Sequence, residues 1–125
     1  MRTSIVTDKA PRPIGPYSQA IVDGDLLFLA GQGPLDPVTG EENRGDVGEQ
    51  TQRTLDNIRA ILEAAGSSMD KVIRCNVYLA DIRDFAAMNE VYARAFTAPY
   101  PARTTIQAGA LPGGISVEIE CVARR

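Results

Sequence analysis

The sequence predicts an α+β fold of two layers, in which two helices cover one face of a single mixed sheet. Two stretches carry apolar residues at helical spacing, and shorter stretches alternate between apolar and polar residues as strands do. The predicted elements follow in the order β, ββ, α, β, α, ββ. Because only two helices are available, only one face of the sheet can be covered within the chain.

The composition is that of an ordinary soluble chain of 125 residues, with 44% hydrophobic and 23% charged residues. This length suits one core, so we take residues 1–125 as a single domain. We expect a cytoplasmic location and no membrane contact, because no apolar run in the sequence resembles a signal peptide or is long enough to cross a bilayer.

Charge and residue types argue against several classes of function. The net charge is −3 and no basic run is present, so the sequence does not indicate a nucleic-acid partner. The chain has no histidine, which removes Ser-His and Cys-His catalysis and histidine-ligated metals. Cys75 and Cys121 lie in apolar strand-like segments and match no zinc spacing, so we interpret them as buried thiols and expect no metal.

The first part of the chain predicts a short strand at residues 3–7, a stiff loop and a hairpin. Prolines and glycine in residues 10–17 exclude helix and sheet, so this loop delivers Tyr17 to a fixed place. Residues 18–22 and 26–30 flank an Asp-Gly-Asp turn, a strong hairpin pattern. The Gly-Gln-Gly-Pro sequence that follows either simply ends the strand or exposes backbone to a ligand.

The middle of the chain predicts two helices separated by a strand. Helix 47–65 begins at a capping box formed by Asp46 and Glu49 and ends at a glycine. Residues 71–79 alternate as a half-buried strand. Asp84 is predicted to cap the second helix, which prolines end.

The last stretch, residues 101–122, predicts a strand, a glycine-rich loop and a second strand. Arg103 and Thr105 fall on one side of the first strand, and Glu118 and Glu120 fall on the polar side of the second. If these strands are neighbours, Arg103 and the two glutamates share a polar face. Arginine suits bidentate binding of a carboxylate, and a nearby glutamate can orient water or move a proton. The alternative is a surface ion pair of little energetic weight.

The sheet face without helices is predicted to be polar with a few apolar side chains. It is expected to carry Val72, Arg74, Asn76, Tyr78, Thr105, Gln107, Glu118, Glu120 and Val122. Either this face is solvated or copies of the chain cover it for one another. We favour a closed homo-oligomer.

Five sequence segments, taken in order, resemble the reactive intermediate deaminases, the Rid (RidA/YjgF) family. They are Ile-Gly-Pro-Tyr-Ser-Gln at 14–19, Leu-Ala-Gly-Gln-Gly-Pro at 29–34, Thr-Leu-Asp-Asn-Ile at 54–58, Pro-Ala-Arg-Thr-Thr at 101–105 and Val-Glu-Ile-Glu at 117–120. The resemblance implies a chorismate-mutase-like fold and a homotrimer with clefts between subunits. It also implies hydrolysis of 2-enamine and 2-imino acids, such as 2-aminoacrylate and 2-iminobutyrate, to 2-keto acids and ammonia. This chemistry needs no cofactor.

The resemblance also implies roles for individual residues. Arg103 matches the arginine that holds the substrate carboxylate, and Glu118 matches the glutamate that positions the attacking water. Tyr17 matches a tyrosine lining the cleft, while Ala30 and Gly31 match the strand end whose backbone contacts the ligand.

Two further positions complete the implied site. Asn89 matches an asparagine at the pocket wall. Thr105 stands where many members carry a cysteine, which rules out thiol chemistry there but leaves a hydroxyl that can form hydrogen bonds.

Two other functions remain open from the sequence. One is a non-catalytic, small-metabolite-binding or regulatory trimer, because a carboxylate pocket suits a sensor equally well. The other is RNA cleavage, an activity also associated with the family, although the acidic charge argues against it.

Overall fold

A six-stranded sheet carries two α-helices on one face in the computed structural model, which describes residues 2–125. The elements are β1 (Thr3–Ile5), β2 (Ala20–Asp23), β3 (Leu26–Gln32), α1 (Val47–Ala64), β4 (Val72–Leu79), α2 (Phe85–Ala95), β5 (Ala102–Gln107) and β6 (Val117–Arg124). The strand order is β1-β2-β3-β6-β4-β5. Only β4 and β5 run parallel, and the other neighbours are antiparallel. The predicted two-layer α+β class with a mixed sheet is confirmed.

The predicted hairpin forms with small shifts in its ends. Asp23 pairs with Leu26, and Gly24 has a φ of 60°, which the tight turn requires. β3 continues to Gln32, past its predicted end at residue 30, and β1 stops at Ile5, before its predicted end at residue 7.

Helix α1 follows the prediction closely. Asp46 caps its first turn, accepting a hydrogen bond of 2.9 Å from the backbone N–H of Glu49. Its apolar face packs into the core: Leu55, Ile58, Ile61 and Leu62 are each at most 2% exposed. The helix ends before Gly66, whose φ is 78°.

The start of α2 differs from the prediction. Asp84 precedes the helix, but its side chain makes no capping hydrogen bond. A 3-10 turn, Ile82–Asp84, comes first, and Asp81 caps it by accepting a 2.9 Å hydrogen bond from the backbone N–H of Arg83. Capping therefore moves to Asp81, because the chain becomes helical one turn earlier than expected.

The face assigned to Arg103 is wrong. β5 does not neighbour β6, because β4 lies between them. Arg103 pairs with Cys75 of β4, and Cys75 pairs with Cys121 of β6. Both cysteines are buried in the core, so Arg103 lies on the helix side of the sheet and not beside Glu118. The reason is the α2 crossover, which brings β5 back parallel to β4 at the sheet edge.

Three other predicted members of the open face also lie on the helix side. Thr105 pairs with Val77 and Gln107 with Leu79, both core residues of β4. A register shift between Val72 and Arg74 turns Val72 into the core. A bulge of this kind reverses the alternation locally, and the sequence pattern did not indicate it.

The sheet face away from the helices is left uncovered by the described chain. Among its side chains are Phe28, Arg74, Asn76, Tyr78, Thr104, Ile106, Glu118, Glu120 and Val122. Phe28 is 43% exposed and Ile106 is 48% exposed. A search of residues 2–125 finds no helix with the length and apolar character that a membrane span requires.

Candidate active site

The Glu118 half of the candidate site is a cavity of about 430 Å³ on the open face of the sheet. Tyr17, Ala30, Gly31 and Glu118, four of the residues predicted for the site, line it together. Gly31 lies directly under the glutamate, and a Cβ at position 31 would overlap the Glu118 carboxylate. Glycine is therefore required for this approach of the carboxylate to the backbone of β3.

Buried Gln19 positions the proline-rich loop along this cavity. Its side-chain amide donates to the carbonyls of Thr7 and Pro11, both at 3.0 Å, and its carbonyl accepts from the N–H of Thr7 at 2.8 Å. The backbone carbonyl of Gln19 also accepts from the N–H of Ala30 at 2.9 Å. The side chain and the backbone of Gln19 together thus fix the loop that carries Tyr17 against the strand that carries Gly31.

Two polar side chains of α1 hold the other walls of the cavity. Buried Asn57 donates to the carbonyls of Gly33 at 3.1 Å and Leu35 at 2.9 Å. Buried Gln50 accepts from the N–H of Ser116 at 2.8 Å, just before β6. Neither supporting residue was predicted from the sequence. Their signal was a polar residue on the apolar side of a predicted helix, which needs a partner when it is buried.

The carboxyl group of Glu118 is held in an environment that favours its neutral form. Partial burial raises its pKa, and the neighbouring Glu120 carboxylate raises it further. Glu120 is itself bound by Tyr78, whose hydroxyl donates to Oε1 at 2.9 Å. This hydrogen bond raises the pKa of Tyr78. A carboxylate whose pKa is raised is a stronger base, which suits Glu118 to accept a proton from water.

The Arg103 half is a second cavity, of about 280 Å³, between α2 and the start of β5. It is lined by Asn89, Tyr92, Ala93, Tyr100, Pro101 and Arg103. The Cζ atom of Arg103 lies 4.7 Å from the centre of the Tyr92 ring and 5.5 Å from that of Phe85. Within residues 2–125 its guanidinium makes no ion pair and no hydrogen bond.

Two buried polar atoms in and beside this half lack a partner in the described part of the chain. They are Oδ1 of Asn89 and Oγ1 of Thr105, whereas the buried hydroxyl of Tyr92 lies beside the Cys75 thiol. Buried polar atoms are nearly always paired in native proteins. Together with the free guanidinium, they mark this cavity as a place for a polar, anionic ligand or for water.

The two halves lie on opposite sides of the sheet. Tyr17, Ala30, Gly31 and Glu118 are together on the open side, while Arg103 and Thr105 lie on the helix side, where Arg103 lines the second cavity with Asn89. Because the sheet separates them, a small acid in contact with Glu118 cannot also contact Arg103 of the same chain.

The family model described as Endoribonuclease L-PSP, the model of the RidA/YjgF proteins, matches residues 7–125. The chain belongs to the Rid family. It is 54% identical over 98% of both chains to the RutC family protein PH0854 of Pyrococcus horikoshii. It is 45% identical to the 2-iminobutanoate/2-iminopropanoate deaminase of Capra hircus, over 98% of this chain and 90% of the relative.

The fold of this Rid chain agrees with a solved structure of the family. The crystal structure of RidA from an Antarctic Psychrobacter superposes with a TM-score of 0.95 at 44% identity, over 98% of this chain and 99% of that one. Residues 2–125 of the Rid chain contain no group of three or more histidine, cysteine or acidic residues that could hold a metal. Cys75 and Cys121 are free and buried, as expected, and burial raises the pKa of both thiols.

Proposed function

We propose that this Rid protein is a hydrolytic deaminase of reactive 2-enamine and 2-imino acids, a 2-iminobutanoate/2-iminopropanoate deaminase. Its substrates would be small acids such as 2-aminoacrylate and 2-iminobutyrate, and its products 2-keto acids and ammonia. The observation that carries the proposal is the unpaired guanidinium of Arg103, which faces a cavity beside unpartnered polar atoms. The mammalian relative named as such a deaminase supports the same activity.

Arg103 and Glu118 would divide the chemistry between them. Arg103 binds the carboxylate through two parallel hydrogen bonds, the stronger class of such contacts. Glu118 orients a water and accepts a proton from it as the oxygen adds to C2 of the imine. That proton passes to the nitrogen, and the proton of the new hydroxyl group follows it as the C–N bond breaks, so that ammonia leaves and the carbonyl forms. General acid–base help of this kind contributes roughly 10²–10⁴-fold.

The remaining residues would shape the pocket. Tyr17 covers the Glu118 side, and the backbone at Ala30 and Gly31 lies open to the ligand. Oδ1 of Asn89 is an unpartnered acceptor suited to a protonated imine nitrogen. The unpartnered hydroxyl of Thr105 can hydrogen-bond to the ligand or to water.

We further propose that the working form is a homotrimer in which each site combines two chains. The support is the separation of the halves, since Glu118 and Arg103 lie on opposite faces of the sheet. The Arg103 half of one chain would cover the Glu118 half of the next, and three such head-to-tail contacts close a ring. This packing would also cover exposed Phe28 and Ile106 on the open face.

Two alternative functions can be distinguished from deamination by experiment. The same carboxylate pocket would serve a non-catalytic metabolite sensor, which binds the acid but forms no product. The family description names an endoribonuclease, but a chain with a net charge of −3 has no evident attraction for a phosphate backbone. Incubation with RNA, with the Arg103→Ala variant alongside, separates cleavage at this site from a contaminating nuclease.

The decisive test is a coupled trapping assay. A pyridoxal-phosphate threonine dehydratase generates 2-aminoacrylate from serine or 2-iminobutyrate from threonine, and semicarbazide traps the imine. Adding this protein should reduce the semicarbazone signal in proportion to its concentration. A folded oligomer with no effect on either imine would replace the deaminase proposal with the sensor.

Arginine variants then test the carboxylate anchor. Arg103→Ala should lose about 100-fold or more, because two hydrogen bonds to a charged group disappear. Arg103→Lys should fail as well, since lysine keeps the charge but not the planar fork. Arg59→Ala, an exposed arginine of α1, is the matched control and should retain full activity. Wild-type activity in Arg103→Ala would refute the anchoring role.

A further inference from the structure

We propose that Tyr92 is the positioning residue for Arg103: its buried ring fixes the guanidinium so that the edge N–H groups face the ligand. The inference rests on the proposed function and adds a residue outside the site predicted from the sequence. A flexible arginine loses rotamer freedom when it binds a carboxylate, so a guanidinium held in place beforehand binds more tightly. Arg103 needs such support, because it has no ion pair or hydrogen bond within residues 2–125.

Helix α2 provides this support through residues on one of its faces. Phe85, Asn89 and Tyr92 follow one another at spacings of four and three, which brings them to the same face of the helix. Phe85 and Tyr92 both place their rings by the guanidinium, at 5.5 Å and 4.7 Å from Cζ of Arg103. These distances lie within the range of cation–π attraction.

Tyr92 is the firmer of the two supports. Its residue is only 4% exposed, whereas Phe85 is 41% exposed. The Tyr92 ring is held from another side by Phe96, with ring centres 4.8 Å apart and planes inclined at 44°. A ring fixed by the core cannot follow the arginine if the arginine moves, so it defines where the guanidinium rests.

Support through the ring leaves the hydrogen-bonding capacity of Arg103 intact. A guanidinium stacked on an aromatic ring uses its flat face, and its N–H donors lie in its plane, where they can take a carboxylate in bidentate fashion. A carboxylate partner from the same chain would instead occupy those donors. The aromatic contact thus holds the arginine without competing with the substrate.

The ring and the hydroxyl of Tyr92 can be separated by mutation. The hydroxyl is buried beside the Cys75 thiol, and burial and this thiol raise the pKa of Tyr92. Tyr92→Phe keeps the ring and removes the hydroxyl, whereas Tyr92→Leu keeps an apolar side chain and removes the ring. Met88→Ala is the control for lost stability, because Met88 is a fully buried residue of the same helix that does not line the Arg103 cavity.

The first measurement needs no ligand. In protein labelled with ¹³C- and ¹⁵N-arginine, the side-chain resonances of Arg103, assigned with Arg103→Lys, should be displaced by the ring current of Tyr92 and should show restricted motion. Tyr92→Leu should abolish both effects, and Tyr92→Phe and Met88→Ala should preserve them. Unchanged Arg103 resonances in Tyr92→Leu would overturn the proposal.

The second measurement is the affinity for the product, 2-oxobutyrate, by calorimetry, together with kcat and KM in the trapping assay. Tyr92→Leu should weaken 2-oxobutyrate binding and raise KM by about five- to tenfold, with kcat changed less. Tyr92→Phe should stay within about twofold of wild type. A purely structural role would lower the melting temperature of Tyr92→Leu and Met88→Ala alike and leave the affinity unchanged.

A failure of the deaminase proposal and a failure of the Tyr92 proposal give different experimental results. If the wild-type protein destroys no imine, the deaminase proposal fails, while the arginine resonances still decide whether Tyr92 holds Arg103. If the wild type is active and Tyr92→Phe loses as much affinity as Tyr92→Leu, the hydroxyl and not the ring is responsible, and the positioning role of the ring is refuted.

Discussion

Mixing two inactive variants, Arg103→Ala and Glu118→Gln, should restore deamination if each site is built from two chains. One variant keeps an intact Glu118 half and the other keeps an intact Arg103 half. The two halves lie on opposite faces of the sheet, so neither variant can complete a site by itself. A mixed oligomer can complete one wherever the intact halves meet.

The magnitude follows from random assortment. In an equimolar mixture, half of the chains bring an intact Arg103 half and half bring an intact Glu118 half. A site formed between neighbours in a closed ring is therefore complete in about one quarter of cases. We expect about one quarter of the wild-type rate per site, against almost none for either variant alone.

The assay uses chains unfolded together and refolded, or co-expressed with two different tags so that mixed oligomers can be isolated. Mass spectrometry establishes the composition, and the trapping assay with 2-aminoacrylate measures the rate. A second mixture, of wild type with the Arg103→Ala/Glu118→Gln double variant, should also give about one quarter, whereas sites within single chains would give about one half. Mixed oligomers of the two single variants with no recovered activity would refute the two-chain site.

Two further predictions concern the Glu118 half. Gly31→Ala should reduce activity at least about tenfold, because the new Cβ displaces the Glu118 carboxylate. Gly109→Ala is the matched control, because a Cβ at position 109 meets no atom within 4 Å. Equal activity of the two variants would contradict this prediction. Glu118→Gln should raise the free energy of unfolding at pH 7. A pKa raised by burial means that the folded state binds the proton more tightly, so wild-type stability falls as the pH rises above the usual carboxyl pKa, about 4.3. Thermal unfolding from pH 4 to pH 8, at constant oligomeric state, should show that Glu118→Gln is more stable than the wild type and that this difference in stability fades toward pH 4. A difference in stability that does not depend on pH would contradict the prediction.

Local patterns in the sequence were sufficient to predict the separate elements. The apolar spacing of α1 and the Asp46 cap place that helix within one residue of its observed end. The Asp-Gly-Asp turn predicts the β2–β3 hairpin, because a positive φ at Gly24 is a property of the turn itself. Each of these signals involves residues that are close along the chain, so no distant partner decides them.

The candidate site also has one aspect that the sequence predicts, its residues, and one that only the fold decides, their separation. All seven of its residues were predicted through the resemblance to a family, which points to residues but not to how a single chain separates them. The partition of Arg103 from Glu118 came from the strand order and from the parallel pairing of β5 with β4. The period-2 alternation around Arg103 was right, but alternation leaves open which face is which until the neighbouring strand is known.

The sequence alone was therefore sufficient to predict the kind of each element, the family and the residues of the candidate site. The tertiary structure decided which face of the sheet each residue occupies, that a bulge turns Val72 inward, and that Gln19, Gln50 and Asn57 hold the cavity walls. The difference comes from the distance along the chain over which each interaction acts. Turn, cap and helix signals act over a few residues, whereas strand pairing and buried hydrogen bonds join residues that meet only when the whole chain has folded.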